Sequence, residues 1–236
     1  MNTQPPEKRF VGTGAVLAVN SIFYTIQGEG PYVGHPAVFI RLAGCNLQCP
    51  LCDTEYTERN AWPVDQIAAM ALNCLPGERR VVGGRKLAVI TGGEPFRQPI
   101  GMLVYELRRQ GWAVQIETNG TLYQVGPWDS LHVTIVCSPK TGMVNHSLQP
   151  FIDAWKYVGK AGDLDPVDGL PVHALDHPNN GGLFRPPHDH PAPIFLQPAD
   201  EQDAQKNLAN LDAVVASCLQ HGHRLCLQTH KIIEVP

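Results

Sequence analysis

The stretch Ala37-Val38-Phe39-Ile40-Arg41-Leu42-Ala43-Gly44-Cys45-Asn46-Leu47-Gln48-Cys49-Pro50-Leu51-Cys52-Asp53-Thr54 passes from an apolar, β-branched run directly into a loop carrying three cysteines. The run 37–42 reads as a buried strand. No fourth cysteine lies near enough to complete a set with Cys45, Cys49 and Cys52. Iron–sulfur clusters are tied by Cys thiolates at each iron, so a compact trio leaves one iron open to a small molecule. A structural zinc wants four ligands, usually as two Cys/His pairs. The nearest outside candidates, His35 and Cys74, form no such pair. The cluster reading is therefore favoured over zinc and over three merely buried thiols.

The same alternation of strand and motif repeats along the chain. Runs at 87–91, 113–117, 132–137, 154–158, 194–197 and 224–228 read as strands, and 64–75, 100–110 and 201–221 carry apolar residues at helical spacing. Strands alternating with helices predict a mainly parallel sheet. Just beyond the C-terminal ends of these strands lie Thr91-Gly92-Gly93-Glu94-Pro95, Glu117-Thr118-Asn119-Gly120, Ser138-Pro139-Lys140, Gln197-Pro198 and Gln228-Thr229-His230. In a parallel barrel those ends gather on one face, where such folds build their sites. The expected fold is α/β, a partial, open parallel (β/α) barrel of about six strands.

A chain of 236 residues can form one domain with a real core, and a net charge of -4 without a basic block excludes a sequence-independent grip on nucleic acid. No apolar run reaches the length of a membrane span, and residues 1–14 lack the apolar centre of a secretion signal. Seven cysteines, an odd number with a tight trio, fit reduced thiols in the cytoplasm better than a disulfide framework. The segment 159–193, rich in Pro, Gly, Asp and His, reads as a long loop insertion; its His173, His177, His188 and His190 read as exposed histidines and not as a metal site. Cys74, Cys137, Cys218 and Cys226 read as buried structural thiols.

Cys-x3-Cys-x2-Cys resembles the signature of radical S-adenosylmethionine enzymes. Together with Ile22-Phe23-Tyr24-Thr25-Ile26-Gln27-Gly28-Glu29-Gly30, the 36–54 stretch, the strand-end motifs above, Leu196-Gln197-Pro198-Ala199-Asp200 and Gln228-Thr229-His230-Lys231, it looks closely like the 7-carboxy-7-deazaguanine synthase family, over residues 21–236. Residues 1–19 then stand as an N-terminal extension and 20–236 as the radical S-adenosylmethionine domain. Phe96-Arg97-Gln98 departs from the smaller apolar residues expected after Gly-Gly-Glu-Pro.

The resemblance implies conversion of 6-carboxy-5,6,7,8-tetrahydropterin to 7-carboxy-7-deazaguanine with loss of ammonia, in queuosine and 7-deazapurine biosynthesis. A 5'-deoxyadenosyl radical would abstract hydrogen from C6 of the pterin and recover it after the ring contracts. The implied cofactors are a 4Fe-4S cluster on Cys45, Cys49 and Cys52, S-adenosylmethionine, and Mg2+ on the Thr54 hydroxyl, a chemically acceptable ligand if substrate oxygens complete the shell. Leu51, Cys52, Asp53, Gly93, Glu117, Ser138, Pro139, Lys140, Gln197, Pro198, Ala199 and Asp200 would bind S-adenosylmethionine. The backbone of Ile26, Gln27 and Gly28, with Arg41, Thr91 and the Pro236 carboxylate, would bind substrate. A homodimer and an external, flavodoxin-like electron donor are also implied.

Residue chemistry alone leaves alternatives. Thr54 could be a helix N-cap, and Arg41, an arginine on a core strand, needs either an acidic partner or a bidentate ligand such as a carboxylate. Two whole-chain alternatives stand beside the synthase reading. One is a radical S-adenosylmethionine activase working on a partner protein, which the Gln-Gly-Glu-Gly segment and the Gln-Thr-His-Lys ending argue against. The other is a non-catalytic zinc-binding interaction module.

Overall fold

The computed structural model describes residues 2–76, 85–174 and 182–236. Its strands are β1 (Val16–Ile26), β2 (Pro36–Leu42), β3 (Asn60–Pro63), β4 (Lys86–Gly92), β5 (Trp112–Thr118), β6 (Val133–Cys137), β7 (Ile152–Gly159), β8 (Ile194–Pro198) and β9 (Arg224–Leu225). They form one nine-stranded sheet in the order β3-β1-β2-β4-β5-β6-β7-β8-β9. From β2 through β9 every neighbouring pair is parallel, while β1 lies antiparallel to both β2 and β3. The sheet ends at β3 and β9 without closing, the open α/β arrangement expected. Helices α1 (Val64–Asn73), α2 (Gly101–Arg109) and α3 (Ala204–His221) fall where apolar periodicity placed them, each slightly shorter.

Period-2 alternation decides what each strand offers to each face. Val38, Ile40, Leu42, Ala88, Ile90, Val114, Ile116, Ile135 and Trp155 join the core with the apolar stripes of α1 and α2. The intervening residues point the other way. Near the middle of the sheet they are apolar, with Ala37, Phe39, Leu87, Val89 and Ala113 packed together. Toward the strand C-termini they turn polar, with Arg41, Thr91, Glu117, Lys156 and Gln197. One parity thus builds the core and the other builds a polar concave surface.

Two strands escape the sequence reading. In β1 the register slips between Val19 and Ser21. The core-facing residues are Leu17 and Val19 before the irregularity, and Ile22 and Tyr24 after it. Such a bulge switches faces within one strand, so no single alternation is visible. Strand β1 also begins at Val16, across the expected boundary at residue 19. The short edge strand β3 is the other. At the far edge, β9 is only Arg224–Leu225 where 224–228 reads as a strand, and the chain turns at once into a single helical turn, α4 (Thr229–Ile232).

The segment 160–193 is the crossover that parallel neighbours β7 and β8 require. Phe184 stacks on Trp155 with ring centroids 5.5 Å apart, and Arg185 pairs with Asp168 at 2.6 Å. His173 meets Asp163 at 2.6 Å and His190 packs edge-on against Trp155. His177 lies outside the described residues. Cys137, Cys218 and Cys226 are buried, whereas Cys74 is only half-buried.

The turn after β4 fits the loop after β2 because it has no side chains there. Gly92 has φ +138°, and a Cβ on it would lie 2.1 Å from the Leu42 carbonyl oxygen; one on Gly93 would lie 2.3 Å from that of Gly44. Gly92→Ala should therefore lower unfolding free energy by about 2–3 kcal/mol, from backbone strain plus the clash. Urea denaturation of the metal-free protein checks this.

Candidate active site

A cavity of about 570 Å³ opens at the C-terminal ends of the strands, within the range of small-molecule sites. Of the residues assigned from sequence, Ile26, Gln27, Arg41, Leu51, Cys52, Asp53, Thr54, Thr91, Gly93, Glu117, Ser138, Lys140, Gln197, Asp200 and Pro236 all line it. Gly28, Pro139, Pro198 and Ala199 do not. Cys45 and Cys49 lie behind the wall, each 8% exposed, with Cys52 at the surface of the cavity.

All seven cysteines are free thiols. Burial pushes Cys45 up to about 12 and raises Cys49 and Cys52 as well. Binding of a metal to these thiols would therefore release protons. The donors needed by thiolates are present: the Leu47 N–H points at Cys45 Sγ at 3.4 Å, and the buried Lys140 ammonium is attracted to Cys49 and Cys52. Among the described residues no group of three His, Cys, Asp or Glu side chains is placed to hold a single ion.

Arg41 resolves one open alternative. It forms no ion pair among the described residues; its guanidinium lies 5.3 Å over the Phe23 ring, and Nε is buried without a hydrogen-bond partner. Phe23 in turn stacks on Phe39 with centroids 5.4 Å apart. A planar guanidinium beside a cavity with its Nε–H unused has the chemistry to take a bidentate anion. Thr54 is likewise no N-cap, because residues 53–59 form no helix. Its hydroxyl donates to Asp53 at 3.4 Å and also bears on the Cys52 thiol.

Glu117 is a hub. Its Oε1 accepts from Gln27 Nε2 at 3.0 Å and Gln115 Nε2 at 2.9 Å, and its Oε2 accepts from Thr91 Oγ1 at 3.3 Å. The Gln27 main chain, expected to meet substrate, is engaged elsewhere: its N–H donates to His35 and its carbonyl accepts from Gly34. The Gly28 carbonyl accepts from the Thr229 N–H and hydroxyl, each at 3.1 Å. A Cβ on Gly28 would strike the His230 ring. Gly28 is thus a docking point for α4, which explains both motifs at once.

The sequence reading missed Glu29 and Lys156, which form a largely buried ion pair in the cavity wall, each side chain 12% exposed, with Gln228 donating to Glu29 Oε1 at 2.9 Å. Burial alone would raise the Glu29 carboxyl, but Lys156 and Gln228 outweigh it and hold it below the usual range. Burial would likewise depress Lys156, yet Glu29 and Glu117 raise it. The signal was available: a lysine inside an apolar strand run demands a partner. Also missed is Lys231 as a bridge, 2.9 Å from Asp200 and 3.5 Å from Asp53. Its hydrogen bond holds Asp200 down to about 2.

Comparison with known proteins places this geometry. The chain is 45% identical to the 7-carboxy-7-deazaguanine synthase of Rhodospirillum rubrum over 95% of this chain and 94% of that one. It is 39% identical to the Rickettsia prowazekii enzyme of the same name, over 98% and 94%. The chain belongs to the 7-carboxy-7-deazaguanine synthase family. The synthase of Escherichia coli K12 is 30% identical over 92% of this chain and 98% of its own length. The crystal structure of QueE from Escherichia coli superposes with a TM-score of 0.67 at 24% identity, covering 90% and 93% of the two chains, and supports the fold. No family model matches the chain. Membership makes the protein a radical S-adenosylmethionine enzyme, which rules out the zinc module as its identity.

Breaking the buried pair from one side should be costly to this synthase. Lys156→Met is expected to lose about 3–5 kcal/mol by stranding the Glu29 carboxylate. Glu29→Gln/Lys156→Met should recover part of it, and chemical denaturation of wild type, both single variants and the double variant reads the coupling.

Proposed function

We propose that this protein contracts the ring of 6-carboxy-5,6,7,8-tetrahydropterin to 7-carboxy-7-deazaguanine with loss of ammonia, serving queuosine and 7-deazapurine biosynthesis. The observation that carries the reading is the unpartnered Arg41 guanidinium facing the same cavity as Cys52, in a chain of this family. It supplies a carboxylate receptor beside the cluster loop.

Cys45, Cys49 and Cys52 hold the 4Fe-4S cluster in this reading. The cluster and S-adenosylmethionine, when bound, supply the hydrogen-atom chemistry that side chains cannot. The protein contributes position and dryness. Arg41 grips the pterin carboxylate, and the Phe23 ring, itself stacked on Phe39, backs one face of the planar guanidinium. Thr91, Gln27 and Glu117 arrive already hydrogen-bonded to one another, so a polar ligand meets fixed partners instead of reorganising them. Ile26 and Pro236 complete the substrate side.

Leu51, Cys52, Asp53, Gly93, Glu117, Ser138 to Lys140 and Gln197 to Asp200 take S-adenosylmethionine on the other side. Lys140 is pinned there by the Ser138 carbonyl and hydroxyl. Thr54 offers its hydroxyl to Mg2+. We assign the enzyme to the cytoplasm as a homodimer reduced by a flavodoxin-like donor. Among the described residues no helix is long and apolar enough to cross a membrane.

The test is an anaerobic assay of the reconstituted, reduced protein with S-adenosylmethionine, Mg2+ and 6-carboxytetrahydropterin, reading products by mass. The deazaguanine acid with no proportional loss of S-adenosylmethionine is the expected result. Appearance of 5'-deoxyadenosine without it would overturn the substrate assignment. Cys49→Ala should abolish both the brown absorption and turnover while the fold survives. Arg41→Lys keeps the charge but loses the fork, and should lower kcat/KM by roughly 10- to 100-fold, the worth of about 1.5–3 kcal/mol of charge-assisted hydrogen bonding.

A further inference from the structure

Residues 2–10 carry no secondary structure. Nor does the loop from Ala43 to Tyr56 have a ladder of its own, although it holds all three cysteines of the trio. The two irregular segments meet.

The contacts fall on the loop backbone. The Asn2 N–H donates to the Pro50 carbonyl at 2.8 Å and its side-chain amide to the Cys49 carbonyl at 3.2 Å. The Glu7 N–H donates to the Cys45 carbonyl at 2.7 Å. Gln4 makes the most telling pair. Its Nε2 donates to the Thr54 carbonyl at 2.8 Å and its Oε1 accepts from the Tyr56 N–H at 2.7 Å. A side-chain amide here does what a neighbouring strand would do, satisfying donor and acceptor of one backbone segment together. The Thr54 carbonyl it holds is also the acceptor nearest the Cys52 thiol, at 3.8 Å.

The segment is itself anchored. Glu7 pairs with Arg59 at 2.5 Å and with the buried Arg97 at 3.3 Å. The Arg97 guanidinium donates to the Lys8 and Ala43 carbonyls, and the Phe10 N–H returns to the Arg97 carbonyl at 2.8 Å. Arg97 belongs to Phe96-Arg97-Gln98, so the odd tripeptide and the additional N-terminal residues fit together.

We propose that residues 2–10 brace the cluster loop, with Gln4 the positioning residue that fixes Thr54 and Cys52 and Asn2 doing the same for Cys49. The inference rests on the reading of that loop as the holder of an iron–sulfur cluster.

The test uses Gln4→Ala and Asn2→Ala in the full chain. In metal-free protein, amide hydrogen exchange of peptides spanning 44–57 should quicken by about five- to tenfold in Gln4→Ala, the loss of one to two hydrogen bonds. Asn2→Ala should loosen 49–52 alone. In reconstituted protein, absorption near 400 nm should bleach in air faster by a similar factor, and the electron paramagnetic resonance line shape of the reduced cluster should change. A general loss of stability would not alter that line shape. Variants that fold and keep wild-type exchange in the loop overturn the proposal. The exchange arm needs no cluster, so a wild type that never turns brown would sink the functional reading and still leave the brace decided.

Discussion

A buried carboxylate ties together the segments that the site depends on. Glu94 has no exposed surface, and it accepts from the Phe96 N–H at 2.9 Å, the Thr118 hydroxyl at 2.7 Å and the Asn119 N–H at 2.7 Å. Its own N–H donates to the Gly44 carbonyl at 3.0 Å. One residue thereby joins the loop after β2, the turn after β4 and the end of β5. Burial lifts the carboxyl to about 7 against those three donors. Its chemistry therefore matches a structural knot more than a freely titrating acid. The glycines before it allow backbone to approach backbone closely enough for the knot to be tied.

Much of this was legible from residue patterns. Strands β2 and β4 to β8 announce themselves as β-branched runs, and their C-terminal motifs share one face for the simple reason that parallel strands share a direction. Arg41 could be read as needing a partner, and the structure shows it without one. What stayed hidden depends on partners distant in sequence. The β1 bulge scrambles alternation, and β3 is too short to carry a pattern. Glu29 gains its meaning only from Lys156 and Gln228. Arg97 reads as an anomaly until Glu7 and the Lys8 carbonyl are placed against it.

The concave face separates its electrostatics by layer. Toward the middle of the sheet it is apolar, around Phe39, Leu87 and Val89. Above that lie paired or networked charges at Glu117, Glu29 and Lys156, and at the rim Lys231 spans Asp53 and Asp200. Only Arg41 is left with an unused buried donor in this set. A buried donor left unused beside the cavity offers an incoming anion a fixed partner, and so orients it.

The docking of α4 onto Gly28 and Glu29 sets a timetable for assembly. Gln228 and Glu29 are separated by 199 positions in the chain. At ribosomal speeds of about 5–20 residues per second, the early half of that wall waits roughly 10–40 s for its other half to be made. The sheet can grow strand by strand from β2 during that interval, because most of its pairings are between neighbours. The Glu29 carboxylate cannot meet its amide until the last strands are laid down. The pocket is therefore complete only after Gln228 has been made, and a nascent chain carries its cysteine loop well before it has a chamber to enclose the chemistry.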